Sequence, residues 1–363
     1  MIPLYKPYMP ESLSEIDNIL HSGALAYGKW GVEFERSIKD FIGCSNEVVA
    51  VNSYTSALQV MLCAAGIGPG DEIIASPMCC LASTQPAAAL GAKFIWADID
   101  SAHGTLDPDD VEKKISPRTK LIMHNHFCGY PGHIDEINAI GKRHGILVAD
   151  DCIEAFGAEY KGRKLGNTGT DITTFSFQTV RLPNAIDGGA VIFKDSDQYR
   201  RALQVRDFGI ARSAFRDSLG EINPHCDIAR IGFGATINEI FSYIGFVQMK
   251  EITRLLDIQR QNAAMWQQLL ATHPSVAALP AAAQTQPSYW VFGVLSDDKR
   301  ETIKRFRELG LYASGVHLPN YYYSVFGERS RLKGVEEFYS RFLAVPSGWW
   351  VNAAEISNLY TAK

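Results

Sequence analysis

Residues Asp171–Phe193 read DITTFSFQTVRLPNAIDGGAVIF. Ile172, Thr173, Thr174 and Phe175 form a β-branched and aromatic run, a polar loop follows, and Asp187-Gly188-Gly189 turns the chain into a second apolar run, Ala190 to Phe193. The pattern predicts a strand, a crowded loop and a returning strand. Upstream, short apolar runs at Val48–Val51, Glu72–Ala75, Lys93–Ala97, Lys120–Met123, Ile146–Ala149 and Thr173–Phe177 read as strands. Helical patterns at Pro10–His21, Trp30–Ile42, Thr55–Ala65, Ala82–Leu90, Pro108–Ile115 and Ile134–His144 fall before or between them. Such alternation implies βαβ units, hence an α/β fold with a mostly parallel sheet and helices on both faces. Ligands of such sheets bind beyond the carboxyl ends of the strands, where Asp150 and Asp151 follow GILVA.

The chain has 363 residues, enough for one large and one small domain. A long helical pattern over 238–270 carries the chain out of the first, and an Ala/Pro/Gln-rich connection follows at 277–287. We divide the chain into a large domain, 1–250, and a small α+β C-terminal domain, 251–363, built from Ser288–Leu295, a helix at Asp298–Leu309 and Val335–Phe342. A formal net charge of −5 with no basic cluster argues against nucleic acid and membrane surfaces. No apolar run is long enough to span a bilayer, and the N-terminal MIPLYKPYMPESLSEI lacks the apolar core of a signal peptide. Seven cysteines without framework spacing fit a reducing cytoplasm.

The opening stretch resembles the cofactor-lysine segment of the DegT/StrS family of nucleotide-sugar aminotransferases. That family carries Ser-Phe-(Gln/His), two residues, a Lys, and then an acidic-Gly-Gly turn. Ser176, Phe177, Gln178, Asp187, Gly188 and Gly189 are in register, and the lysine position holds Arg181. GIGPGDE (66–72), ADD (149–151), DGGA (187–190), VRDFGI (205–210) and SGWWV (347–351) extend the resemblance over nearly the whole chain. It implies the type I fold of pyridoxal phosphate (PLP) enzymes, a homodimer whose site is completed across the two-fold, and a nucleotide-linked hexose as ligand.

Arg181 bears directly on the chemistry. A Schiff base needs an amine that can lose its proton, and a guanidinium stays protonated at any working pH. By resemblance, Asp151 is the acid that pairs with the PLP pyridine nitrogen, although an Asp at a strand end also serves as a helix cap. Thr55 and Ser56 open a helix and, with Ser176 and Gln178, match positions that reach the cofactor phosphate. Tyr54 opposes them, because it stands where the family usually has Gly, whose backbone permits close approach. Glu154, Cys79, Leu318, Gly234 and Thr236 also depart from the family at cofactor-proximal positions. Any cofactor is therefore PLP or pyridoxamine phosphate (PMP) held non-covalently, or the site uses none.

His317 is a candidate acid/base and an equally good buried structural histidine. Tyr321, Tyr322, Tyr323, Trp349 and Trp350 suit sugar stacking, with packing the commoner use. His124, His126 and Cys128 share one face if extended, but no fourth ligand is evident and we expect no metal. Three functions follow. The first is an enzyme acting on a nucleotide-linked hexose without a Schiff-base lysine, with Arg181 as an anion-binding fork and Asp151, Glu154 or His317 as acid/base. The second is a non-catalytic nucleotide-sugar-binding or partner protein. The third is a conventional PLP-dependent sugar aminotransferase using another lysine, for which Lys161, Lys164 and Lys194 lie nearest in sequence. The family's setting implies polysaccharide or secondary-metabolite sugar biosynthesis.

Overall fold

The structure is a computed structural model that describes residues 1–352 together with Ala354 and Ile356. The last residues of the 251–363 unit lie outside the described ones. Seven strands form the large sheet, in the order Val48–Val51, Gly189–Phe193, Ile172–Ser176, Leu147–Cys152, Thr119–Asn125, Glu72–Ala75 and Lys93–Trp96. All are parallel except Gly189–Phe193, which runs antiparallel to both neighbours. The 171–193 stretch is therefore the strand, loop and returning strand that its pattern predicts. Glycine is required in the turn: Gly188 has φ +153, and a Cβ on Gly189 would sit 2.9 Å from the Ser53 carbonyl oxygen. That close approach seats the helix Tyr54–Ala65 against the sheet.

The interior strands are buried on both faces, which explains their continuous apolar runs. Alternation sorts their side chains. Val49, Leu121, Met123, Ala149 and Val191 pack with Leu58 and Met61 of Tyr54–Ala65. Val48, Ala50, Phe175 and Ile192 pack against Phe34 and Ile38 of the helix Lys29–Ile42 and Ile252 and Leu256 of the helix Glu239–Leu270. The first helix is shorter than its pattern: Ile16–His21 alone is helical, because 10–15 offer no contiguous apolar face.

The smaller sheet is antiparallel, ordered Val276–Ala278, Phe292–Ser296, Phe342–Val345. The helices Lys299–Glu308 and Lys333–Arg341 accompany it. The division at 250 falls inside Glu239–Leu270, whose buried Trp266 stacks on Phe292 at 6.2 Å. The first residues also join this part, since Ile2 bridges Leu311. Trp349 and Trp350 donate to the carbonyls of Lys6 and Pro3, so these two indoles hold the N-terminal segment.

Candidate active site

Asp150 and Asp151 lie inside the strand Leu147–Cys152 rather than beyond it, and adjacent strand residues face opposite ways. Asp151 looks toward the helix Tyr54–Ala65. Its carboxylate accepts the Tyr54 hydroxyl, the Asn125 amide at 2.7 Å and the Ile153 N–H at 3.1 Å. Asp151 is thus not a helix cap, and its carboxylate is held by three donors within the chain. Tyr54 is 4% exposed and its hydroxyl also meets Thr174 Oγ1 at 3.2 Å. Burial, with the Asp151 charge and hydrogen bond, drives the Tyr54 phenol well above its usual pKa, so it holds its proton on Asp151.

Tyr54 also changes the candidate phosphate cradle. The cap of its helix is Ser53, which accepts the Ser56 N–H at 3.1 Å, while the Ser56 hydroxyl donates to Asn52 at 2.6 Å. Thr55 is exposed. Ser176 is buried and accepts the N–H of the exposed Gln178 at 3.4 Å. The polar groups of Ser56 and Ser176 are therefore engaged within the chain.

Arg181 comes from the loop after Ile172–Ser176 and is buried. Its guanidinium lies 4.2 Å over the Trp290 ring and 3.5 Å from Glu154 Oε1. Trp290 donates to the Val180 carbonyl at 2.8 Å and stacks on Tyr5 at 4.7 Å, which fixes the loop between them. The gap left among Glu154, Ser176, Arg181, Ser288 and Trp290 is about 10 Å³, room for about one water.

Glu154 is the hub. Oε1 takes His317 Nε2 at 2.8 Å and Oε2 takes the Cys128 N–H at 2.8 Å. Burial raises the pKa of this carboxyl, but the charge and hydrogen bond of His317, the Arg181 charge and the Cys128 N–H outweigh it and leave it below the usual range. The backbone donor requires an unusual turn, in which Cys128 adopts φ +56. With Nε2 on Glu154, His317 keeps Nδ1 as its basic nitrogen. His317 also lines a cavity of about 450 Å³ with Cys79, Cys80, Lys299, Gly315, Tyr323 and Tyr339. The sequence reading singled out Glu154, His317 and Arg181, and the structure joins them. It did not single out Lys299 and Cys80, which line that cavity, or Tyr5, which stacks on Trp290.

A PLP ring resting on Asp151 does not fit these residues, because the Tyr54 phenol already spans from the helix start to that carboxylate. The lysines nearest in sequence are engaged elsewhere: Lys161 with Asp135, Lys164 over the Phe41 ring, and Lys194 with the Gly169 carbonyl.

The histidine cluster differs from its spacing. Cys128 has left for Glu154, and Asp150, the register partner of His124, joins His124 and His126 instead. His126 Nε2 is 3.2 Å from Asp150 Oδ1, but Nδ1 accepts the Gly132 N–H, so Nε2 carries the proton and offers no lone pair to a metal. Asp100, His103 and His133 form a second group in which one Asp100 oxygen meets both rings, at 2.8 and 3.1 Å.

The sheet order, the returning antiparallel strand and the small appended sheet define the type I fold of PLP-dependent transferases. The chain belongs to the DegT/DnrJ/EryC1/StrS aminotransferase family, which matches residues 8–362. It is similar to the sugar aminotransferase CalS13 from Micromonospora echinospora, with 29% identity, TM-score 0.92 and 100% of both chains covered. It is similar also to the aminotransferase TlmJ from Streptoalloteichus hindustanus, with 25% identity, TM-score 0.90 and coverage of 99% of this chain and 97% of that one. DesV from S. venezuelae, solved with a ketimine intermediate, gives 25% identity, TM-score 0.88 and 98% of both chains.

Proposed function

We propose that the chain processes a nucleotide-linked hexose without a lysine at the family's Schiff-base position, and without PLP or PMP. The observation that carries this reading is the Glu154–His317 pair, a buried carboxylate 2.8 Å from a histidine on the wall of a ligand-sized cavity. Arg181 at the family's lysine position supports it, as does Tyr54 filling the ring's place. A sugar as substrate is supported by the similarity to CalS13, and the nucleotide by the family resemblance. In this site Glu154 orients His317, which takes or gives one proton at a sugar carbon or hydroxyl. Arg181 is spent on Glu154 and Trp290 and positions rather than binds.

The test is turnover of nucleotide-linked hexoses, including keto-sugars, by wild type, His317→Gln and Glu154→Gln. Loss of about 10²–10⁴-fold in His317→Gln, with the fold intact by circular dichroism, is expected. Full activity in both variants overturns the assignment. A second reading, a binding or partner protein, is favoured by the same filled slot, and tight sugar binding with no wild-type turnover selects it.

We further propose a homodimer in the cytoplasm, acting in polysaccharide or secondary-metabolite sugar biosynthesis. Leu219, Ile222, Ile228 and Ile231 support a covered face, since Leu219 is 85% and Ile231 84% exposed in the single chain. Twice the chain mass is expected by light scattering, and a monomer at micromolar concentration refutes it. All seven cysteines are free, in keeping with a reducing compartment. Among the described residues no helix is long and apolar enough to cross a membrane.

A further inference from the structure

The cavity that His317 lines contains an amine that no step above uses. Lys299 is the first residue of the helix Lys299–Glu308, a place where the positive end of the helix dipole disfavours a cation. Its Nζ donates to the Tyr339 carbonyl at 2.8 Å and lies 4.1 Å over the Tyr339 ring. Among the described residues it makes no ion pair, unlike Lys161 and Lys304, which have carboxylate partners. A Cβ on Gly315 would stand 2.9 Å from Nζ, so the amine lies against the Ser314–His317 segment of the cavity wall. The remaining titratable groups on that wall are Cys79, Cys80, His317, Tyr323 and Tyr339, none of them a carboxylate.

We propose that Lys299 is the nucleophile of this cavity and that its substrate is a carbonyl compound, the ketone or aldehyde form of the sugar, captured as an imine. The inference rests on the reading of His317 and Glu154 as the acid–base pair. The Lys299 ammonium first gives a proton to His317 Nδ1; the Nζ lone pair then attacks the carbonyl carbon, and the C=O π pair moves to oxygen, which takes that proton back from His317. The added nitrogen loses a proton, the carbinol oxygen gains one, and water departs to leave C=N. The step is reversible by hydrolysis and needs no oxidant, reductant or further reactant. It acidifies the neighbouring C–H, where His317 can move a proton.

Two physical features support a free amine here. Burial brings the Lys299 ammonium down to about 8, so far more of it is unprotonated at neutral pH than of an exposed lysine, about tenfold for each unit. The wall is also partly apolar, which favours loss of water from the carbinolamine.

The experiment uses the full-length protein, dihydroxyacetone as the probe, and borohydride to fix any imine, followed by peptide mapping at pH 7. The expected result is one adduct per chain on the peptide bearing Lys299, with a mass gain equal to the probe less one oxygen atom. Labelling at Lys299 should exceed that at the exposed Lys161 and Lys194 by about tenfold or more, and it should vanish in Lys299→Arg. Labelling spread evenly over exposed lysines overturns the proposal, and that outcome needs no variant to fold. The two readings fail separately: loss of turnover in His317→Gln without trapping at Lys299 removes the imine alone. Trapping at Lys299 with turnover indifferent to His317 and Glu154 upholds the nucleophile and removes the acid–base pair.

Discussion

Replacing Glu154 by Gln is expected to destabilise the protein by about 3–5 kcal/mol, the range for removing one partner of a buried charge pair. The carboxylate is fully buried and satisfies Arg181, His317 and the Cys128 N–H together. The amide keeps the shape but returns no charge to a guanidinium whose Nε already lacks a partner. Arg181→Met in the same chain should recover part of the loss, because the stranded cation is gone and its stem still packs on Trp290. Denaturant unfolding of the two single variants and the double variant measures the coupling. Additive losses would mean that Glu154 and Arg181 do not act on each other.

The same group sets a pH limb. Its folded pKa is depressed below the model-compound value of 4.5, so its contribution is complete above that value and is lost as pH falls through the lower folded one. Below about pH 4.5 wild-type stability should therefore fall more steeply than that of Glu154→Gln.

Much of the scaffold is legible in the chain because most strands of the large sheet are short apolar runs buried on both faces. Val48–Val51 and Glu72–Ala75 form where those runs stand, and Ile134–His144 forms where its periodicity stands. Strand ends are less legible when polar residues continue the pairing. Asp150 and Asp151 look like residues beyond a strand, yet both pair with Thr119–Asn125. That extension turns one aspartate toward Tyr54 and the other toward His126. Glu154, Arg181 and His317 could each be singled out from the family pattern, but no local pattern brings together residues 163 positions apart. Lys299 sits in the charged run SDDKRE, where nothing in the sequence separates a cavity amine from a solvated one. Only the fold of Ser314–His317 against that helix start makes the distinction.

Tyr54→Gly is expected to have the other large effect, a loss of about 3–5 kcal/mol, as for emptying a buried aromatic site. Gly at the first position of the helix adds a smaller backbone penalty. Tyr54→Phe separates the contributions, since it keeps the ring and removes only the donor to Asp151 and Thr174. Asp151 then retains Asn125 and Ile153 N–H, so this loss should be nearer about 1–3 kcal/mol. The same variants test why the family's cofactor is disfavoured here. In a Lys299→Arg background, which removes the cavity amine, Arg181→Lys should give no borohydride-reducible absorbance with added PLP, because Tyr54 still occupies Asp151. In that background Tyr54→Gly with Arg181→Lys supplies both the amine and the space, and a reducible band is expected only in that pair. A band in Arg181→Lys alone would show that the phenol swings aside readily, and the filled slot would no longer explain the lost chemistry. A band in wild type that persists in Lys299→Arg would mean that another lysine serves, returning the chain to the ordinary reaction of its relatives.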